Sequence, residues 1–320
     1  MRLSAIKPVR LSHTRAVFLM VLITLMWATA GVMTRQVQSA HGFEITFWRS
    51  VLGCLSMLVL LRLWRGPQFL QRVIWNEPVF WLSSLCWALM MTSFMMALSY
   101  TTVANVLVIS ALGPMVTAVA SSVFLRSRLP KRTWIAIAVA TGGIVYIYAA
   151  FLTLGNWDKL KGSAIALLVP VATASQWIVM NAEKQRGQRA QEQGHVVDAR
   201  DMVPALAVGC AISALMCLPF ISPLQASWPD LAWLGALGVF QLAIPCALAI
   251  VVSRILLAPE ISMLALLEII FGILLTWWGA GEVPGINTLV GGTLVVGALA
   301  TNEYLGWRQN RWQTNGPPQM

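Results

Sequence analysis

LALLEIIFGILLTWWG, Leu264–Gly279, is sixteen residues of near-continuous hydrocarbon interrupted by a single ionisable group, Glu268. The acidic and glycine-containing run AGEVP, Ala280–Pro284, follows it. A stretch of this kind fits a bilayer better than water. Yet a carboxylate near the middle of a bilayer costs about 3 kcal/mol on insertion scales. The acid therefore requires a reason, and the rest of the chain has to show whether the membrane reading holds.

Of the 320 residues, 58% are hydrophobic and 11% charged, and mean hydropathy is +0.72. Soluble domains carry about 25% charged residues, so most of this chain is not built to face water. The five cysteines (Cys54, Cys86, Cys210, Cys217, Cys246) fall inside apolar runs, with no Cys-x-x-Cys pair. They read as small core residues instead of a disulfide or metal framework. The net charge of +10 is spread in short basic clusters between apolar runs. That pattern fits topology signals better than a nucleic-acid stripe. The N-terminus, MRLSAIKPVRLSHTR, is basic and leads into an apolar stretch, as a signal peptide would. The stretch continues without an Ala-x-Ala cleavage site, so a retained first helix is expected.

A span needs about 20 apolar residues to cross about 30 Å of hydrocarbon. Ten windows of that size occur, near 16–37, 44–64, 78–98, 102–125, 132–150, 161–183, 202–221, 231–253, 260–279 and 286–305. Barrel strands would be shorter and would alternate, so an all-α integral membrane fold with ten transmembrane helices is expected. An even number of spans leaves both termini on one side. Of the 22 Lys and Arg, 18 fall in the tails and loops of that side, while Lys159 and Lys161 occupy loops of the other. The asymmetry points to cytoplasmic termini. Tryptophans at span ends (Trp48, Trp64, Trp81, Trp134, Trp157, Trp228, Trp307) suit an interfacial belt.

The chain also reads as duplicated. A shift of 155 lays Gly142 on Gly297 and loop 126–131 on loop 281–286, and a shift near 149 pairs Trp27 with Gln176 and Arg35 with Lys184. Residues 16–150 and 161–305 would then be two five-helix repeats, flanked by cytoplasmic tails 1–15 and 306–320. With five spans each, the second repeat enters from the opposite side. Inverted repeats of this kind are common in secondary transporters, whose sites lie near the midplane between the halves.

Four stretches resemble the EamA-type transporters of the drug/metabolite transporter superfamily. They are LMWATAGVMTR (25–35), EITFWRS (44–50), ALSYTTVANVLVISALGPMVTAVASSVFLRSRL (97–129) and LEIIFGILLTWWGAGEVP (267–284). The resemblance implies ten helices in two inverted halves and a carrier of the bacterial cytoplasmic (inner) membrane, effluxing amino acids, related metabolites or drugs. The chain departs from the family pattern in two places. Arg126-Ser127 stands where Gly-Glu is usual, and Ile269 stands where a Pro commonly follows Glu268, which implies a straighter helix there. Pro114, Pro170 and Pro245 mark possible breaks in spans 4, 6 and 8, which would free carbonyls to line a cavity.

Charge at depth marks the candidate substrate-binding residues. Glu268 lies about nine residues into span 9, with Gly272 and Thr276 on its face. That face is expected to point into the bundle. Solute or proton contact is one reading, and a neutral acid hydrogen-bonding two helices is the other. Arg49, with Gly53 and Ser56 on its face, either snorkels to the interface or clamps a carboxylate or phosphate. Trp27, Trp87 and Trp177 lie deeper than the belt and suit aromatic walls. Gln176, Asn181 and Gln241 add amides, for a solute or for ordinary interhelical bonding. The 15 methionines suit gap filling or an adaptable cavity. Tyr100 and Asn105 flank the turn between spans 3 and 4 and are expected at the interface.

Enzyme signals are poor. The three histidines lie in loops or a terminus, and there is no His-Glu-x-x-His, Gly-x-Ser-x-Gly or phosphate loop. The expectation is a secondary transporter of a small solute by alternating access, with no cofactor, no metal and no nucleic-acid partner, and with proton coupling open. A membrane scaffold or sensor, and then a membrane enzyme, are the alternatives.

Overall fold

The computed structural model describes residues 12–315 except 125–129, 154, 193–201, 253–254, 257–260 and 262–263. Among the described residues there are helices and no strands. The helices are α1 (His13–Gln36), α2 (Gly42–Arg65), α3 (Pro78–Tyr100), α4 (Val103–Ser110), α5 (Gly113–Phe124), α6 (Lys131–Thr153), α7 (Trp157–Ala166), α8 (Leu168–Glu192), α9 (Val203–Cys217) and α10 (Trp228–Ala236). A π-helical segment, Leu237–Ala243, leads into α11 (Ile244–Val252), followed by α12 (Leu267–Ala280) and α13 (Ile286–Asn315).

Eight described helices are long and apolar enough to cross a membrane, and they coincide with the first eight sequence windows. The ninth and tenth windows are not among these eight. Of the ninth, residues 260 and 262–263 lie outside the described residues, and the described part holds the shorter apolar helix α12. The tenth belongs to α13, where Asn287, Asn302 and Glu303 dilute the apolar run. Large apolar side chains cover the outside, with Trp278 95% and Phe18 74% exposed. A soluble monomer does not leave so much contiguous hydrocarbon in water. The chain is a multi-pass membrane protein.

The prolines act where expected. A proline cannot donate to the carbonyl four residues earlier, and its ring crowds that carbonyl. Pro114 therefore frees Ser110, and the helix breaks at 111–112 between α4 and α5. Pro170 frees Ala166, and the break falls at Leu167 between α7 and α8. Pro245 frees Gln241, and the helix widens to i→i+5 bonding before it, with Ile244 N–H donating to Val239 O. Span 9 is interrupted as well. The chain turns at Leu266 without a proline, with Ile269 N–H bonded only three residues back, to Leu266 O. Glu268 consequently sits in the first turn of α12.

Two helix crossings depend on absent side chains. α6 meets α13 where Gly143 faces Gly291, and a Cβ on either would come within 2.7 Å of the other's carbonyl oxygen. α2 meets the π segment where a Cβ on Gly238 would lie 2.7 Å from Gly53 N.

One end of the bundle, bearing the turns at 37–41, 101–102, 218–227 and 281–285, is stitched by three carboxylates. Glu44, in the first turn of α2, accepts from the N–H groups of Gln225 (3.0 Å) and Ala226 (2.9 Å). Asp230, in the first turn of α10, accepts in return from Gln38 N–H (3.0 Å) and Ser39 N–H (3.1 Å). Each of these acids thus holds the loop that precedes the other's helix. Glu282 accepts from Arg35 Nε (2.7 Å) and from Val103 N–H (2.7 Å), which opens α4. Arg35 donates onward to Leu98 O and Thr101 O. Gly281, at φ 65°, ends α12 in the left-handed conformation and turns the chain toward this pair.

Two belt or interface expectations are corrected. Trp48 packs against the main apolar cluster, with its Nε1 buried. Asn105 is fully buried, and its amide donates to Thr101 Oγ1 (3.1 Å) and to Ser163 Oγ. The amide nitrogen is thus satisfied inside the bundle by two hydroxyls, while Oδ1 is buried with no partner among the described residues. Four of the five cysteines are buried and Cys54 is half-buried, all as free thiols.

Candidate functional site

Arg49 does not snorkel. Its position, eight residues into a straight α2, leaves it far from either end, and it is 3% exposed. Nη2 donates to Gln241 Oε1 at 2.8 Å, while Nε and Nη1 are buried with no acceptor. Gln241 lies inside the π segment, and its own Nε2 makes a long bond of 3.5 Å to Trp27 O. One amide thus ties α2 to α1 through the wound-open turn ahead of Pro245. π-helical turns recur at functional sites because they redirect a side chain within an otherwise regular helix.

Cys246 on α11 hydrogen-bonds with Trp27 and lies within electrostatic reach of both Arg49 and Glu268. Glu268 forms no hydrogen bond or ion pair among the described residues. Its place in the first turn of α12 offsets part of the cost of its charge, because unpaired N–H groups at a helix start favour an anion. The face it shares with Gly272 and Thr276 does point inward. The gap at Gly272 is filled, however, since a Cβ there would meet Leu107 at 2.4 Å. α12 packs mainly on α1 and α4.

A second polar group joins α8 to α3. Assigned by its neighbours, the Gln176 amide donates to Ser83 O (3.2 Å) and Ser83 Oγ (3.0 Å) and accepts from Trp87 Nε1 (3.1 Å). Trp27 and Trp87 both pack on the apolar cluster that contains Met91, Cys210, Leu242 and Cys246. The two polar groups are therefore separated by soft, repackable side chains. Sequence reasoning missed a third feature, a hydroxyl chain beside Arg49. Ser213 Oγ lies 3.0 Å from Ser50 Oγ and 2.8 Å from Thr92 Oγ1, linking α9, α2 and α3. Its only sequence signal is small hydroxyls inside apolar helices, which is too common to single out.

The other expectations fare differently. Trp177 is 49% exposed and has no hydrogen bond to either polar group. Asn181 is in α8, but its side chain lies outside the described residues, as does the Arg126-Ser127 loop. An apolar cavity of about 340 Å³ between α4, α12 and α13, lined by Val108, Ile273, Gly292 and Val296 among others, touches none of the candidate residues.

The interior is thus polar in a narrow zone, within an apolar multi-helix bundle broken at prolines. Residues 14–149 match the family model of the EamA-like transporter family. That stretch is similar to the EamA-like transporter family. It runs over α1–α6 and contributes Trp27, Arg49, Ser83 and Trp87 to the polar groups. A crystal structure matches over 93% of this chain and 100% of its own, with a TM-score of 0.60 at 17% identity. At that identity the likeness speaks to the fold, which extends well beyond the EamA-like domain. No curated protein matches the chain.

Proposed function

We propose that the protein is a ten-span secondary transporter that moves a small metabolite across the cytoplasmic membrane, with both termini cytoplasmic. One observation carries the reading. Among the described residues, the side-chain contacts that build the candidate site join the EamA-like domain to the second half of the chain: Arg49 to Gln241, Trp87 and Ser83 to Gln176, and Ser50 and Thr92 to Ser213. A site shared by two halves can be offered to either side as the halves rock.

The element boundaries support the inverted repeat. The shift of 155 lays the start of α6, Lys131, on the start of α13, Ile286. It also lays the turn after α4, at 111, on the turn at Leu266. These corresponding helices, α6 and α13, pack on each other extensively. The carboxylate-stitched end fits a gate closed on the extracellular side, given the basic asymmetry of the loops. The solute contacts we assign are Arg49, Gln241, Glu268, Trp27, Trp87 and Gln176, with direction outward. Proton coupling rests on Glu268, which sits in an apolar helix and has no hydrogen-bond or ion-pair partner among the described residues.

The test is purified protein in liposomes, challenged with a solute panel with and without an imposed pH gradient. Saturable uptake of at least one solute, altered in spectrum by Trp87→Phe or Gln176→Ala, is expected. A protein that inserts and folds but moves nothing is a scaffold. One that converts a solute is an enzyme.

A further inference from the structure

The Arg49 guanidinium is a donor set that the chain itself leaves mostly unused. It has five N–H bonds and no acceptor capacity. Gln241 takes one hydrogen of Nη2, and Nε and Nη1 are buried without an acceptor. Each edge of the fork presents two parallel N–H bonds, Nη2 with Nε or Nη2 with Nη1. Since Gln241 occupies a single Nη2 hydrogen, one full edge is free whichever hydrogen it takes. No described acid claims it, because Glu282 is paired with Arg35, and Glu44 and Asp230 are occupied by loop N–H groups. Glu268 lies within electrostatic reach of Cys246 but forms no ion pair with Arg49. The titratable groups that act on it electrostatically are the Cys210 and Cys246 thiols, which are weak acceptors. A buried cation with a vacant bidentate edge is costly unless something else completes it.

Building on the transporter reading above, we propose that the carried solute bears a carboxylate that docks bidentately on the free edge of Arg49. A carboxylate matches the planar fork in both spacing and charge. One unit charge cancels that of Arg49, whereas a phosphate dianion would leave net charge at depth, where charge is expensive. Gln241 fixes the fork against rotation. Trp27 and Trp87, which pack on the same apolar cluster as Met91, receive the solute's apolar body.

The test compares small carboxylic acids with their primary amides, for example nicotinate with nicotinamide and leucine with leucinamide. Binding is read by thermal stabilisation and indole fluorescence of the purified protein, and transport by uptake into liposomes. Acids should be preferred over amides by about tenfold to a hundredfold, the usual weight of a charge-assisted bidentate contact. Arg49→Lys should lose most of that preference, because an ammonium has no fork. Arg49→Gln should abolish it while leaving the protein at least as heat-stable as the wild type, since it removes a charge that the fold does not pair. Acids that bind without being transported would keep this proposal and sink the carrier reading. Amides bound or transported as well as acids would overturn the proposal and keep the carrier. Binding of neither, or an Arg49→Gln protein that unfolds at markedly lower temperature, would overturn it as well.

Discussion

The stitched end of the bundle and its polar middle solve opposite problems. At the end, Glu44 and Asp230 are 0% and 2% exposed, and each is met by backbone N–H groups of a loop from the other half. At the middle, Arg49 is as deeply buried, yet among the described residues two of its nitrogens have no partner, and Glu268 has no hydrogen-bond or ion-pair partner. Stability alone would select the first arrangement everywhere, since an unpaired buried charge costs several kcal/mol. On the proposed function, the end holds a shape while the middle awaits a group that the chain lacks. A carrier needs both, a latch that is satisfied when shut and a site that is satisfied when loaded.

That contrast can be broken first at Glu44. Glu44→Ala leaves the N–H groups of Gln225 and Ala226 buried without their acceptor, at about 1–3 kcal/mol for each. It should give the largest fall in thermal unfolding temperature of any single latch variant, measured by scanning fluorimetry in detergent. It should also raise the reactivity of a cysteine placed at Gln225. Next comes Asp230→Ala. It removes the cap of α10 and the hold on 38–39, for a loss of about 2 kcal/mol. The unfolding temperature should fall less than with Glu44→Ala. A larger fall would reverse the ranking of the two clasps.

Glu282→Gln should cost least of the three. Its pair with Arg35 is partly exposed, at 17% and 30%, and such pairs are worth about 1 kcal/mol or less. Its signature should be kinetic, with faster opening of the stitched end read as quicker labelling of a cysteine at Thr101. If all three carboxylates can be removed without affecting labelling or stability, the end is not a latch.

Glu268→Gln sharpens the comparison from the other side. No partner is lost, and an amide keeps the side chain's shape, so folding and unfolding temperature should be unchanged. A group that cannot ionise cannot carry a proton, so accumulation of solute driven by a pH gradient should be lost while exchange persists. Unchanged pH dependence in liposomes would leave Glu268 with no part in coupling.

The sequence was a good guide wherever a local rule governs the chain. Apolar length located α1–α3 and α6, and Pro114, Pro170 and Pro245 located the breaks, because a missing N–H acts on its own neighbours. Asp230 carried a local sign too, the Ser227-x-x-Asp230 pattern of a capping box. What that pattern could not disclose was the second use of the same carboxylate, on a loop almost two hundred residues earlier. Glu44 was hidden because an acid in the first turn of a helix needs no further explanation. The turn at Leu266 has no proline to announce it. Arg49 and Gln241 were both legible as polar groups at depth, but their pairing follows from the π turn and from the glycine crossing at Gly53 and Gly238, which only the packed bundle reveals.

The central claim is that the polar zone between the halves is a site and not a structural weld. It is tested most directly by comparing wild-type and Arg49→Gln protein in liposomes under one imposed pH gradient, with a labelled carboxylic acid outside. The wild type is expected to give saturable uptake, and the variant, equally folded and equally heat-stable, none. Equal uptake by both proteins, or no uptake by either, would contradict the claim.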